Sequence, residues 1–234
     1  MKTIGLIGGM SWESSLLYYR MINEGVKQHL GDLHSAKLLM YSVDFAPIEA
    51  MQHSGDWHGA TAILADAARR LEAGGADFFL ICTNTMHRVA DAVQAAVDIP
   101  LLHIADATAE ILQADGVKNI GLLGTAFTME LDFYRARIRD KYGINVVIPE
   151  LHDRQIVHDI IYQELCQGLI DDDSRDVYLA IIDRLDEEVP IDGVILGCTE
   201  IGMLVKPQHT HITLYDTTRI HAAQAVERAL QGAD

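Results

Sequence analysis

Gly193-Val194-Ile195-Leu196-Gly197-Cys198-Thr199-Glu200 is an apolar run that ends in a glycine and then sets one cysteine before two polar residues. A short, continuous apolar run bounded in this way reads as a buried strand, and the polar residues after it read as a helix start. An earlier stretch, Phe79-Leu80-Ile81-Cys82-Thr83-Asn84-Thr85, has the same form, with Thr83 in the place that Cys198 takes. Open α/β sheets gather their binding residues at the C-terminal ends of parallel strands. The two stretches are therefore expected to face each other across one active site.

Outward from these stretches, apolar runs of four to six residues alternate with longer helical patterns, the βαβ signature of a mostly parallel sheet. Ile4 to Ile7 reads as a strand, Gly8-Gly9 as a turn and Ser11 as a helix cap. The helix that follows is expected to bury Leu16, Tyr19, Val26 and Leu30. Lys37 to Val43 is a second strand ending at Asp44. An alanine-rich helix from about Gly59 to Glu72 is stopped by Gly74-Gly75. Phe78 to Ile81 is a strand, Thr85 to Ala96 a helix and Leu101 to Ile104 another short strand.

The pattern then starts again. Ile120-Gly121-Leu122-Leu123-Gly124-Thr125 echoes Ile4-Gly5-Leu6-Ile7-Gly8-Gly9 at an offset of 116, Cys198 echoes Thr83 at 115, and Ile212-Thr213-Leu214 echoes Ile99-Pro100-Leu101 at 113. Three near-equal offsets point to an internal duplication. The expected architecture is two pseudo-symmetric α/β domains, residues 1–103 with 214–234 and residues 104–213, with the site in the cleft between them. The closing helix, Thr217 to Leu230, is expected to return to the first domain.

Composition narrows the function classes. The chain has 234 residues, 49% hydrophobic and 22% charged, which reads as a soluble globular protein with a substantial core. No stretch approaches the roughly 18 apolar residues of a membrane span, so no membrane partner is expected. A net charge of -16 argues against nucleic acid as a partner. Three cysteines, at 82, 166 and 198, have neither an even count nor metal spacing, which fits free thiols in a reducing cytoplasm. Gly5, Gly8 and Gly9 lack dinucleotide-binding spacing, there is no P-loop, and the eleven histidines are scattered. No metal site is expected.

Cys198 carries the chemistry in this reading. A thiol at a helix N-terminus feels the helix dipole and free backbone N–H groups, so its pKa is expected to fall. The competing reading is a buried, inert cysteine. Thr83 holds the matching place; Cys82, its neighbour, points to the opposite face of an extended strand. Asn84 and Thr85 offer donors at a helix start, a seat for a carboxylate. His87, four residues after Thr83, either shares its face or caps and packs.

Thr83-Asn84-Thr85-Met86-His87 resembles the Cys-Asn-Thr-x-His motif of the aspartate/glutamate racemase family, and Gly197-Cys198-Thr199-Glu200 resembles its second cysteine motif. Ile7-Gly8-Gly9-Met10-Ser11, Ser42-Val43-Asp44-Phe45 and Gly124-Thr125-Ala126-Phe127-Thr128-Met129 match further family patterns in order. The resemblance implies two pseudo-symmetric α/β domains, an amino-acid substrate, no pyridoxal phosphate or other cofactor, and commonly a homodimer. It implies inversion at Cα by two acid–base groups flanking the substrate, here Thr83 and Cys198. Thr83 departs from the family's first cysteine, as in the subgroup specific for L-aspartate/glutamate or broad in specificity. An alcohol is the weaker acid, so the two directions of turnover are expected to differ. Cys166 stands where many members carry a lysine that suits a side-chain carboxylate, which leaves Gln52, Thr125, Thr128 and helix N-termini as candidate donors. Gln52 falls in an expected loop. Met10 is placed as a pocket wall, and Thr199 and Glu200 complete the substrate-binding set. A one-cysteine isomerase or decarboxylase, or a binder without turnover, are the other readings.

Overall fold

The computed structural model describes residues 1–231. They divide into two compact units: Met1–Ile104 with the segment from His221 onward, and Ala105–Ile220.

In the first unit, β1 (Ile4–Gly8) lies between β2 (Leu38–Ser42) and β3 (Phe78–Ile81), all parallel. The order is β2-β1-β3. Helices α1 (Trp12–Leu30), α2 (Phe45–Ser54) and α3 (Trp57–Ala73) connect the strands, and the short α4 (Ala90–Gln94) follows β3. Every residue of β1 and β3 is buried, because helices cover both faces. One face packs Ile7, Phe79 and Ile81 against Leu64, Ala67, Ala68 and Leu71 of α3. The other packs Leu6, Phe78 and Leu80 against Tyr18, Ile22 and Val26 of α1 and against Ala222, Ala225 and Val226.

In the second unit, β4 (Asn119–Gly124), β5 (Asn145–Val147), β6 (Val194–Gly197) and β7 (Leu214–Asp216) form a parallel sheet of order β5-β4-β6-β7. Helix α5 (Ile104–Ala114) precedes β4; α6 (Ala126–Glu130), α7 (Asp132–Tyr142), α8 (Leu151–Gln163), α9 (Asp172–Glu188) and α10 (Ile201–Leu204) run between the strands, and α11 (Thr217–Leu230) closes the described chain. The counterpart of β7 in the first unit is a single parallel bridge, Phe79 with Leu101. The two sheets thus repeat one strand order and one strand direction, as the sequence offsets require.

Four expectations are corrected. Leu16, Tyr19 and Leu30 are exposed, and the buried face of α1 is Ser14, Ser15, Tyr18, Ile22 and Val26. Ser11 sets that face: its hydroxyl accepts from Ser14 N–H and its carbonyl accepts from the Ser15 hydroxyl at 2.7 Å, which in turn accepts from Gly9 N–H. Leu101 to Ile104 is not a strand beyond the one bridge, since Ile104 already opens α5. Thr85–Val89 is a 3-10 turn rather than the start of an α-helix. Leu214–Asp216, expected in the first domain, is β7 of the second sheet, because Val194 and Ile195 pair with Leu214 and Tyr215. The return to the first unit begins at His221; residues 232–234 of the expected first domain lie outside the described residues.

Candidate active site

Strand register places the candidate residues within each unit. Gly124 pairs with Gly197, so Thr125 and Cys198 leave neighbouring strand ends together. A Cβ on Gly197 would stand 2.7 Å from Leu122 Cδ1 and 2.9 Å from the Leu123 carbonyl oxygen. Only glycine allows β4 and β6 to approach this closely just before the cysteine. In the first unit Ile7 pairs with Ile81, and Cys82 N–H donates to the Ile7 carbonyl. Thr83 therefore emerges beside Gly9, whose φ of +94° and contact with the Val43 backbone exclude a side chain.

Cys198 is 9% exposed, and its Sγ–H donates to Glu200 Oε2 at 2.9 Å. Thr199 Oγ1–H donates to the same oxygen at 2.7 Å. Burial pushes the Cys198 thiol up, the Glu200 charge and hydrogen bond push it further, and a backbone bond from Glu200 opposes them without prevailing. The expected fall in pKa is therefore corrected. Thr199 and Glu200 precede a helix of only four residues, α10, and so short a helix carries little dipole to set against a buried carboxylate. Tyr178, buried behind them, donates to the Val157 carbonyl at 3.1 Å.

Thr125 caps α6: its Oγ1 accepts from Thr128 N–H at 3.3 Å and lies 3.2 Å from Thr128 Oγ1. His158 of α8 accepts from Ala126 N–H through Nδ1 and stacks at a tilt on Tyr162, ring centres 4.8 Å apart. Cys166 lies in a 3-10 turn, Leu165–Gln167, that packs against α10.

In the first unit, Thr83 is half-buried, and Asn84, Thr85 and His87 after it are buried. Gln52, expected in a loop, is in α2, buried, and donates to Met86 Sδ at 3.1 Å. That contact joins Gln52 to the Thr83 turn. Met10 is buried in the same cluster as Met86 and Ile48. Cys82 is fully buried on the other face, where its thiol is pushed far up by desolvation alone, which makes it inert as a nucleophile.

His103 and His221, which the sequence did not single out, meet the ring of His87, whose Nδ1 lies 2.8 Å from the Thr83 carbonyl oxygen. His87 and His103 rings are 4.5 Å apart, and His87 and His221 are 6.0 Å apart. Only the spacing from Thr83 to His87 hinted at the layer. His221 Nε2–H donates to the Leu102 carbonyl, and Tyr18 O–H donates to its Nδ1, both at 2.8 Å. Burial lowers the His221 pKa to about 4, so the ring is neutral at pH 7. Among the described residues no cluster of His, Cys, Asp and Glu has the makings of a metal site, and no helix is long and apolar enough to cross a membrane.

Two repeated parallel sheets, one with a cysteine after its strand end and the other with a threonine at the equivalent place, define a duplicated α/β protein. Residues 7–225 match the Asp/Glu/Hydantoin racemase family, and the chain belongs to it. It is similar to a candidate Asp/Glu racemase from Yersinia pestis, 53% identical with a TM-score of 0.91 over 99% of this chain and 100% of that one. It is also similar to an aspartate racemase homologue from Pyrococcus horikoshii OT3, 35% identical with a TM-score of 0.84 over 98% of this chain and 99% of that one. The broad specificity amino-acid racemase RacX of Bacillus subtilis is 22% identical, covering 97% of this chain and 98% of its own.

Proposed function

We propose that this protein is a cofactor-independent racemase of aspartate, glutamate or a similar small amino acid. Cys198 and Thr83 act on opposite faces of Cα. The observation that carries this reading is the buried pair of Cys198 and Glu200, a thiol and its proton acceptor 2.9 Å apart at a strand end. Family membership and the named racemases among the relatives support it.

For the enantiomer whose Cα–H faces Cys198, Glu200 takes the thiol proton and the thiolate then takes the proton from Cα. The carbanion delocalises into its carboxylate, and donors must meet that charge as it develops. Asn84, Thr85 and Thr199 are proposed for the α-carboxylate, with Gln52, Thr125 and Thr128 for the substrate side chain and Met10 as a wall. The Thr83 hydroxyl delivers a proton to the other face and is reprotonated from water, while the proton that Glu200 took is released to water, which restores the resting state. An alcohol donates and accepts less readily than a thiol, so the Thr83 step is the slow one.

Enantiomers have equal free energy, so kcat/KM for the two directions must be equal. The asymmetry appears instead in the two kcat values. It also appears as exchange of the Cα hydrogen with retained configuration, which needs Cys198 with Glu200 but no step at Thr83. Deuterium wash-in from each enantiomer, read separately for retention and inversion, tests the proposal. Wash-in that outruns inversion from one enantiomer only is expected.

Protonation on a single face, as in decarboxylation, is the second reading, favoured by the absence of a thiol at position 83. Release of carbon dioxide without Cα exchange would select it. A cytoplasmic homodimer completes the proposal. The exposed stripe of Trp12, Leu16 and Tyr19 on α1, 65%, 57% and 51% accessible, supports a second copy as its cover.

A further inference from the structure

We infer that His87 is a positioning residue for Thr83, held as the neutral Nδ1–H tautomer and acting through the Thr83 carbonyl rather than on the substrate. This rests on the proposed role of Thr83 in proton transfer. The geometry fixes the tautomer. His87 Nδ1 is 2.8 Å from the Thr83 carbonyl oxygen, which can only accept, so Nδ1 carries the hydrogen. Nε2 accepts from Ile104 N–H at 3.2 Å, so it carries none. Both ring nitrogens are committed to backbone, and the ring joins the turn that presents Thr83 to the segment Leu102–Ile104.

That segment is itself anchored. Leu102 N–H donates to the Phe79 carbonyl of β3, and the Leu102 carbonyl accepts from His221, whose other nitrogen accepts from Tyr18. The result is a chain of fixed donors and acceptors from α1 through α11 to the Thr83 carbonyl. Thr83–Asn84–Thr85 is not α-helical, and no Asn84 side-chain bond caps the 3-10 turn. The His87 bond therefore stands in for helical hydrogen bonding in setting where the Thr83 hydroxyl points. A hydroxyl that must donate to a carbanion depends on orientation, and misplacement by about 1 Å can cost two orders of magnitude in rate.

The test separates the two ends of the ring. An asparagine head group lies near the Nδ1 position and a glutamine head group near Nε2. His87→Asn keeps a donor for the Thr83 carbonyl, whereas His87→Gln keeps a partner for Ile104 N–H and loses the Thr83 donor. Deuterium wash-in with retention, which needs Cys198 with Glu200 but no step at Thr83, is measured beside inversion for the same enantiomer. The expected result is that His87→Gln lowers inversion about 10-fold or more relative to wash-in, and that His87→Asn lowers it less. Equal loss of inversion and wash-in in His87→Gln, or a greater loss in His87→Asn than in His87→Gln, would overturn the inference. Imidazole ¹⁵N shifts of the wild-type protein give a readout independent of activity: hydrogen on Nδ1 is expected, and hydrogen on Nε2 overturns the inference. A wild-type protein that exchanges no Cα hydrogen from any amino acid removes the racemase reading, and this inference with it.

Discussion

Glu200 acts on Cys198 in two opposed ways. Beside burial, its charge holds the thiol protonated, while in the proposed mechanism its Oε2, 2.9 Å from the sulfur, receives the thiol proton. Glu200→Gln separates the two. The thiol pKa should fall toward the ordinary range, read as a lower midpoint for alkylation of Cys198 against pH. Turnover should nevertheless drop about 10²-fold or more, the usual weight of a lost general base. A variant that alkylates at lower pH and also turns over faster would show that the carboxylate only hinders. The position of Cys198 was legible from the apolar run and its glycine. Its ionisation was not, because that depends on a carboxylate two residues on and on burial, and neither has a periodic signature. Gln52 was misplaced for a related reason: helix α2 has no clean apolar stripe, so its burial against Met86 comes from tertiary packing.

At the scale of elements, the α1–α11 contact turns on a histidine and a glycine. His221 is protonated in the unfolded chain near its ordinary value of 6.5 but only near 4 in the folded protein. As pH falls from 6.5, the unfolded state binds the proton first. This contribution is therefore present in full above 6.5 and declines toward 4, by about 3 kcal/mol in all. Urea midpoints measured from pH 7 to 4.5 should fall, and His221→Asn should flatten that slope; an unchanged slope would contradict the assignment. Gly25 meets Val226, where a Cβ would stand 2.9 Å from a Val226 methyl. Gly25→Leu should cost about 1–3 kcal/mol through overpacking, read from thermal unfolding. The repeat and both central strands were legible because buried parallel strands are continuous apolar runs. The face of α1 was not: Leu16 and Tyr19 fit a helical stripe as well as Tyr18 and Ile22 do, and hydrogen bonds from Ser11 and Ser15 decide between them. β7 was missed as a member of the second sheet because three residues of pairing leave almost no pattern.

For the whole molecule, the net charge of -16 sets long-range repulsion against self-association, so a homodimer has to be held by local apolar area. Sedimentation at physiological salt should give twice the mass of the chain. Leu16→Glu should shift the protein toward monomer without unfolding it, since Leu16 is exposed. A wild-type monomer at micromolar concentration would contradict the homodimer. The central claim, an unequal pair of proton-transfer groups built on a duplicated fold, is tested most directly in deuterated water. L- and D-aspartate, then L- and D-glutamate, are each given separately to wild type and to Cys198→Ala. The account predicts that one enantiomer gains deuterium with retention faster than it inverts, that the other exchanges only as it inverts, and that Cys198→Ala abolishes both. Wash-in at the wild-type rate in Cys198→Ala, or retention and inversion balanced alike from both enantiomers, would contradict it.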